Sequence, residues 1–488
     1  MKTDSNEMMM VVDPTTTANK EAAAGIDLEE IKLEKEDDDS LGKTAQTVAS
    51  DSSEQKKKTK SKLTFWEIVA IQASYSAAAN IFQIPLMIGT WGYVLGPIVF
   101  ALWFGLVYFV AAFVCDVVTA SKGRCKHFSG VGYELAGSWG STIFRCVQLV
   151  NLILYIPTIV DSAQEALTTI FGPDALGGCD GYWKLIVVGI LFVMMQVVKN
   201  FKEASWLAYA SLAMAFLQAC VFAPLILVNT RDEYPTMMSI DSGELLDMGP
   251  AQPFLYPDAD WWTVVKSFRP YGFTGTFLIA ETMSVAENPD QYKKALSYSM
   301  GIMYVLYMVP ALLAALLWGR NTDYLLNTDF GQGALSIVTQ LFVFFPNLLD
   351  FLLACLIVND AFRRRFIYKI GEEPEANPPA FRQLLITLPT LVFAFVAATF
   401  VPNFETLVSV STSLALVPGI TWMISAAWFA GRYWVRKSDS DNGEVVKSSV
   451  VLQSISLIAG LFVSVVFFVS FVLDFIDADW SLNGVFCG

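Results

Sequence analysis

The stretch YGFTGTFLIAETMSVAENP, residues 271–289, places Gly272, Gly275, the two threonines of the motif GFTGT and the carboxylate of Glu281 inside an otherwise apolar run. Gly272 and Gly275 each cost a helix interior about 1 kcal/mol relative to alanine, so they predict a break in a membrane-spanning helix. Where a helix unwinds, backbone carbonyls at the end of one half and amides at the start of the next become available. Those two ends suit an ammonium and a carboxylate, so we expect this segment to bind a small zwitterion.

A second break is predicted around residue 80, where ASYSAAANIFQIP places small and polar residues within another apolar run. Pro85 follows this stretch and lacks the amide hydrogen that a helix needs. Secondary transporters often unwind two helices at corresponding positions of their two halves and bind substrate between them. The two breaks lie about 190 residues apart. Their matching positions favour a binding role over small residues that merely allow tight helix packing.

Three intramembrane carboxylates are candidates for proton coupling. Glu281 follows the break at Gly272 and Gly275 by less than two turns. A carboxylate in a low dielectric favours its neutral form, and an ionisable group in the membrane is a functional candidate. The alternative role for Glu281 is a structural hydrogen-bond acceptor. Asp161 and Glu165 share one helix face and either line an outer vestibule or extend to the interface. Asp350 is a further carboxylate deep in its span.

The composition places these residues in a membrane. The 488-residue chain is 54% hydrophobic and 16% charged, whereas soluble domains are roughly 25% charged. Eleven apolar runs are long enough, at about 20 residues each, to cross a bilayer as helices. We therefore predict an all-α membrane protein with about 11 transmembrane helices. The predicted spans are 66–88, 94–119, 142–171, 183–199, 203–228, 268–287, 295–318, 331–358, 382–401, 405–430 and 448–474.

The distribution of Lys and Arg predicts the orientation. Every second loop, beginning with the N-terminal side, is basic, and the other loops hold only scattered cations such as Lys184. The positive-inside rule therefore places the N-terminus in the cytoplasm. Residues 1–62 are predicted to be a disordered acidic cytoplasmic tail with the basic run KKKTKSK at its end. Residues 63–430 form the predicted core of two five-helix halves. Residues 431–488 form an eleventh helix and a short non-cytoplasmic C-terminus.

The net charge of −14 does not indicate a nucleic-acid partner, because the acidic residues are concentrated in the tail and in the loop at 231–260. The seven cysteines and one histidine have no metal-binding spacing, so we predict no metal site and no cofactor. His127 is expected to be a solvated loop residue. Cys179 and Cys487 are the two cysteines predicted to face outside, where an oxidising compartment would allow a disulfide between them.

Several motifs share their order and spacing with one known family. YGFTGTFLIAETMSVAENP has an aromatic-small-aromatic start, two glycines, an acidic residue midway and a final Asn-Pro. IPLMIGTWGYVLGP is similar to that family's junction of helices 1 and 2, and CVQLVNLILYIPTIVDSA to its helix 3 with a Gln and an Asn. VPNFETLVSVSTSLALVPG is similar to its helices 9 and 10. Over residues 63–474 the chain therefore resembles the amino acid/auxin permeases.

The resemblance implies the 5+5 inverted-repeat fold of the bacterial leucine transporter, with discontinuous helices 1 and 6 and one additional helix. It also implies a secondary active transporter that imports amino acids or related zwitterions by alternating access, coupled to protons or sodium. By position, the implied substrate-binding residues are Ala78, Ala79, Asn80, Ile81, Phe82, Phe273, Thr274, Gly275 and Thr276. The family usually has Gly-Ser-Gly in place of Ala78–Asn80, so this chain departs from the pattern there.

Alternative functions stay open at this point. An auxin- or amine-type substrate, sodium coupling, and a sensor that binds amino acids without moving them are each consistent with the pattern. Helix 8 has few hydroxyls beyond Ser336 and Thr339 to bind sodium, which favours protons. The chain has no repeated filter motif of a channel and no nucleophile or paired-aspartate motif of an intramembrane enzyme. The plasma membrane and a vacuolar or lysosomal membrane are both possible locations.

Overall fold

The structure is a computed structural model of the chain. It describes residues 62–77, 81, 84–172, 175–229, 237–238, 245–246, 252–255, 264, 274–319, 333–366, 380–400, 411–433 and 446–477. The predicted disordered tail, apart from its last residue, lies outside the described residues.

In the first half of the chain, the described residues up to Asn229 form helices joined by short loops. Its α-helices are α1 Phe65–Ala77, α2 Ile84–Trp91, α3 Leu95–Ala120, α4 Phe128–Phe171, α5 Asp180–Val197, α6 Phe201–Leu217 and α7 Ala223–Asn229. A 3₁₀ turn, Ala175–Gly178, precedes α5, and a π-helix, Gln218–Phe222, joins α6 to α7. The helices α1 and α2 together occupy the first predicted span. Of the residues between them, the structure describes only Ile81.

The second half begins with a 3₁₀ helix, Thr274–Leu278, that continues into the short helix α8, Ile279–Ser284. After a 3₁₀ turn, Pro289–Gln291, the elements are α9 Tyr292–Trp318, α10 Ala334–Phe366, α11 Ala380–Phe400, a π-helix Thr412–Leu416, α12 Val417–Ile420, α13 Trp422–Tyr433 and α14 Val450–Asp477. In the loop between the halves, β1 Met237–Met238 pairs antiparallel with β2 Leu245–Leu246.

The count of long helices agrees with the predicted spans. In the described part of the chain, eight helices are long and apolar enough to cross a membrane, or nine if the pair Thr412–Ile420 and Trp422–Arg432, bent by 49°, is one span. The two other predicted spans are the first and the sixth, where α1 and α8 are 13 and 6 residues long. Parts of both spans, residues 78–80, 82–83 and 268–273, lie outside the described residues. The predicted all-α membrane fold is confirmed.

Helix α10 forms the centre of the bundle. Its apolar window is 78% buried, more than that of any other long helix, and it packs chiefly against α4 and α6. A helix that is apolar around its whole circumference and buried on most sides belongs to the interior of a bundle. Below, the end with the α3–α4 and α8–α9 loops is called the inner end, following the predicted orientation. The end with the α4–α5 loop is called the outer end.

Helix α4 begins earlier than predicted, at Phe128 instead of residue 142, and contains a kink. The kink lies at Ala136 (φ −140°, ψ 17°) and Gly137 (φ 69°, ψ −155°). A positive φ is adopted readily only by glycine, so Gly137 permits the change of direction. The inner segment 128–135 is thereby turned away from the spanning part of α4. This turn brings the Phe128 amide to the candidate site.

The inner end is tied together by a backbone bridge. Leu63, just before α1, pairs in parallel with Ala286, just after α8. The Leu63 amide donates to the Val285 carbonyl at 2.9 Å, and the Glu287 amide donates to the Leu63 carbonyl at 2.8 Å. The inner ends of the first and sixth spans are therefore held against each other.

Candidate functional site

The substrate segment predicted in the sixth span departs from α-helical geometry. Residues Thr274–Leu278 form a 3₁₀ helix, and α-helix begins only at Ile279. A 3₁₀ helix has fewer residues per turn and poorer hydrogen-bond geometry than an α-helix. Gly275 and Thr276 are buried within this stretch. Thr274, Gly275 and Thr276, identified in the sequence, therefore lie in a 3₁₀ helix, which is wound more tightly than an α-helix.

The substrate segment predicted in the first span is represented by Ile81, which is fully buried. Helix α1 ends at Ala77 and packs directly against the 3₁₀ helix of the sixth span. The two predicted segments therefore belong to neighbouring elements. Of Thr274 the structure describes the backbone. The other predicted substrate residues lie outside the described residues, namely Ala78, Ala79, Asn80, Phe82 and Phe273.

A buried polar cluster joins α1 to α8 and α9. The Gln72 side chain donates from Nε2 to the Tyr292 hydroxyl at 2.6 Å and to Thr282 Oγ1 at 3.4 Å. The Thr282 hydroxyl donates to the Leu278 carbonyl at 2.6 Å, at the last residue of the 3₁₀ helix. Because buried polar groups are stable only when they are hydrogen-bonded, the cluster fixes α1 against the inner end of the candidate substrate segment.

Glu281, the first proton-coupling candidate, is 7% exposed and is held by neutral donors. Its Oε1 accepts a hydrogen bond of 2.7 Å from Gln148 Nε2 and one of 3.2 Å from the Phe128 amide. Gln148 Nε2 also donates to the Phe277 carbonyl at 2.9 Å. Among the described residues, Glu281 Oε2 has no hydrogen-bond partner. A buried carboxylate with uncharged partners is suited to gaining and losing a proton.

The Glu281 carboxyl borders a polar cavity of about 190 Å³ at the inner end. This volume has room for several water molecules. Residues from α4, α8 and α10 line the cavity. At its edge, His127 Nδ1 lies 4.0 Å from Asp360 Oδ2. His127, expected to be a solvated loop residue, is therefore half-buried beside the cavity. The lining residues are His127, Ser129, Arg145, Gln148, Leu149, Glu281, Ile357, Asp360 and Ala361.

The other two candidates, Asp161 and Glu165, lie at the outer end and are not brought to Glu281. Along α4, Asp161 is about 20 Å from Gln148, at roughly 1.5 Å per residue. Asp161 Oδ1 forms an ion pair with Lys184 Nζ at 2.8 Å, and the two side chains are 8% and 11% exposed. Lys184 also donates to the Ala398 carbonyl at 2.6 Å. Glu165 is half-buried one turn further along α4.

Sequence reasoning missed the roles of Gln148 and Lys184. It treated Lys184 as a scattered outer cation, whereas the structure buries it against Asp161. The sequence did contain a signal for this pairing, namely the short loop between α4 and α5. A short loop makes two successive spans antiparallel neighbours and places their outer ends together. Gln148 stood out as a polar side chain within an apolar run, but its partner Glu281 is 133 positions further along the chain. Pattern alone does not pair residues at that separation.

Cys179 is buried and forms a disulfide. The free cysteines are Cys115, Cys125, Cys146, Cys220 and Cys355. Cys487 lies outside the described residues, so its pairing with Cys179 stays a prediction.

The comparisons with known proteins agree with this architecture. A family model described as transmembrane amino acid transporter protein matches residues 61–466. The crystal structure of MhsT in complex with L-phenylalanine is similar over 82% of this chain and 98% of its own, with 13% identity and a TM-score of 0.55. MHP1, a nucleobase-cation-symport-1 family transporter, is similar over 85% and 91%, with 12% identity and a TM-score of 0.46. A search of curated protein sequences finds no match.

The long apolar helices and the similarity to MhsT show a helical membrane protein with the 5+5 inverted-repeat fold. The family model covers most of the chain. The protein belongs to the transmembrane amino acid transporter family and is a secondary transporter.

Proposed function

We propose that this protein imports a zwitterionic amino acid together with protons, by alternating access. The observation that supports this most strongly is the 3₁₀ helix at Thr274–Leu278, which packs against α1, the helix that precedes the predicted substrate segment of the first span. Backbone groups released at these positions would bind the substrate carboxylate and ammonium. The substrate site would comprise the nine predicted residues between Ala78 and Phe82 and between Phe273 and Thr276.

We propose Glu281 as the coupling residue at the inner end. Its carboxyl is almost fully buried, has only neutral donors on Oε1 and borders a polar cavity. In the alternating-access cycle, Glu281 would gain its proton while shielded and release it when the cavity opens to the cytoplasm. Asp161 and Glu165 would be the coupling candidates at the outer end. Separation of Asp161 from Lys184 would accompany opening to the outside.

Sodium coupling is less well supported by the hydroxyls of α10. Thr339 already donates to the Leu335 carbonyl at 2.9 Å, and Ser336 lies in the first turn of the helix. Sodium sites in such transporters use the carbonyls of unwound helices near the midplane, far from the first turn of a spanning helix. Ser74, near which helix 1 ligands would lie, donates its own hydroxyl to the Ile71 carbonyl.

The proposed orientation places the N-terminus in the cytoplasm and the α4–α5 loop outside, in the plasma membrane or facing a vacuolar or lysosomal lumen. A disulfide between Cys179 and Cys487 fits this orientation, because both would lie in an oxidising compartment. Non-reducing peptide mapping would recover the two cysteines in one linked pair. Recovery of Cys487 as a free thiol would contradict the pairing.

The function is tested with purified protein in liposomes. A panel of labelled amino acids, an auxin and a simple amine is offered while pH and sodium gradients are varied independently. The proposal expects at least one neutral amino acid to accumulate with an inward proton gradient and without sodium. Accumulation that requires sodium would contradict proton coupling. Binding without uptake across the whole panel would instead support the sensor.

A further inference from the structure

Asp350 lies at the middle of the most buried helix of the bundle. Helix α10 has 33 residues, and Asp350 is preceded and followed by sixteen of them. Either end is therefore about 24 Å away, at roughly 1.5 Å per residue. Its side chain is 0% exposed. Neither the substrate segments nor the Glu281 cavity includes it, so its chemistry requires a separate explanation.

The surroundings of Asp350 are phenolic. Its carboxyl interacts with the hydroxyls of Tyr75 from α1, Tyr155 from α4 and Tyr307 from α9. Tyr155 is its hydrogen-bonding neighbour, although neither carboxyl oxygen completes a hydrogen bond of normal geometry. The Tyr75 and Tyr155 rings are 6.2 Å apart in an edge-to-face arrangement. Phenol groups from three different helices therefore act electrostatically on one carboxyl.

No cation acts on Asp350 from the described residues. The other ionisable groups that act on Tyr75 are Cys355 and Glu281, and neither carries a positive charge. Among the helices that contact α10, α4 carries Arg145, which lines the Glu281 cavity. Lys184 on α5 pairs with Asp161, and Lys202 on α6 pairs with Glu67.

An unpaired carboxylate buried away from water is so unfavourable that the group neutralises instead. Asp350 must therefore either hold a proton or bind a cation that enters during the cycle. A proton is the simplest occupant, because it needs no cavity and the phenol hydroxyls both donate and accept hydrogen bonds. A sodium ion needs several oxygen ligands, and α10 remains one helix across Asp350, so it offers no free carbonyls there.

We propose that Asp350, with Tyr75, Tyr155 and Tyr307, is a mid-membrane proton-binding site of this transporter. The inference rests on the proposed proton-coupled function and adds a second site to it. In the present conformation the carboxyl is protonated and neutral. When α1 moves relative to α10 during the cycle, the site gains access to water and the proton dissociates.

The first test separates coupling from substrate movement. In liposomes, Asp350→Asn and wild type are compared in exchange of the most strongly accumulated amino acid of the panel, without a gradient, and in its uptake driven by a proton gradient. We expect Asp350→Asn to keep exchange and to lose gradient-driven accumulation. Asp116→Asn is the matched control, because Asp116 is an exposed residue paired with Lys293, and it should keep both activities.

Two results would overturn the inference. Accumulation by Asp350→Asn equal to wild type would show that Asp350 carries no coupling proton. Loss of exchange as well as accumulation, in a monodisperse variant, would assign Asp350 to substrate binding or to the transport movement itself. If Asp350→Asn is not recovered as a folded protein, Tyr155→Phe replaces it. Removing this hydroxyl should shift the pH midpoint of accumulation, and an unchanged midpoint would contradict the site.

A second measurement does not depend on transport. The infrared difference spectrum between wild type and Asp350→Asn at neutral pH should contain the carbonyl stretch of a protonated carboxylic acid. Absence of that band would overturn the inference even if the protein transports amino acids with protons. Presence of the band in a protein that accumulates nothing from the panel would instead show that the proposed function is wrong while Asp350 is protonated.

Discussion

The outer and inner ends of α4 stabilise buried carboxyls in two different ways. At the outer end, Asp161 lies 2.8 Å from the ammonium of Lys184. At the inner end, Glu281 receives hydrogen bonds from Gln148 and from a backbone amide, and both donors are neutral. An ion pair fixes the charge of both partners, whereas a carboxyl among neutral donors can change its protonation state. The difference supports the proposed closure contact at the outer end and the proposed proton site at the inner end.

Removing the cation of the outer pair should have the largest effect on stability. Lys184→Met leaves Asp161 as an unpaired buried charge, and such losses cost about 3–5 kcal/mol. Thermal unfolding in detergent should show a large fall in the midpoint, while Lys184→Met with Asp161→Asn should recover most of it. Lys293→Met, which breaks the exposed pair with Asp116, is the control and should cost only about 0–1 kcal/mol. Equal midpoints for the single and double variants would show that the outer pair is not a coupled unit.

Removing the shared donor at the inner end should have an intermediate effect. Gln148→Leu removes the donor that the Phe277 carbonyl and Glu281 Oε1 share, and this loss costs about 1–3 kcal/mol of stability. Gln164→Leu is the matched control, because Gln164 donates to Thr168 and Asp180 at the outer end. Both variants should lose stability, but only Gln148→Leu should alter accumulation driven by protons. An equal effect of the two variants on accumulation would remove Gln148 from the coupling site.

The smallest change in stability, but a clear functional change, is expected for Glu281→Gln. Glutamine preserves the shape of the side chain and cannot carry the proton. Gradient-driven accumulation should fall about tenfold, equivalent to about 1.4 kcal/mol, while exchange should fall less. Glu134→Gln, which alters an inner-end carboxylate paired with exposed Arg124, should change neither. A pH dependence of accumulation that is unchanged by Glu281→Gln would exclude Glu281 as a proton carrier.

The positions of the membrane-spanning helices were predictable because the length of each apolar run determines whether it can cross a bilayer. Each of the nine long spans overlaps a predicted span, and the two short ones coincide with the segments that contain helix-breaking residues. The sequence analysis did not predict the early start of α4 at Phe128 or the 49° bend between Thr412–Ile420 and Trp422–Arg432. Both depend on local backbone rotations, at Gly137 and beside Thr421, that leave the apolar pattern unchanged.

The buried carboxyls of the candidate site could be identified in the sequence, but their partners could not, and the substrate-binding role of the predicted residues stays a prediction. Glu281 and Asp161 were identified because an intramembrane charge is costly wherever it occurs. Their partners Gln148 and Lys184 were not, since Gln148 meets Glu281 only when distant spans pack together. The same holds for Asp350, whose three tyrosines come from three different helices. Composition locates a buried charge, and tertiary packing determines whether it is neutralised by a cation or by a proton.

An experimental structure with the transported amino acid bound would test the central claim most directly. We predict density for the amino acid between Ile81 and Gly275. Its carboxylate and ammonium should contact backbone groups of the first and sixth spans. A structure in which either span is a continuous α-helix through these residues, or in which the amino acid binds elsewhere, would contradict it.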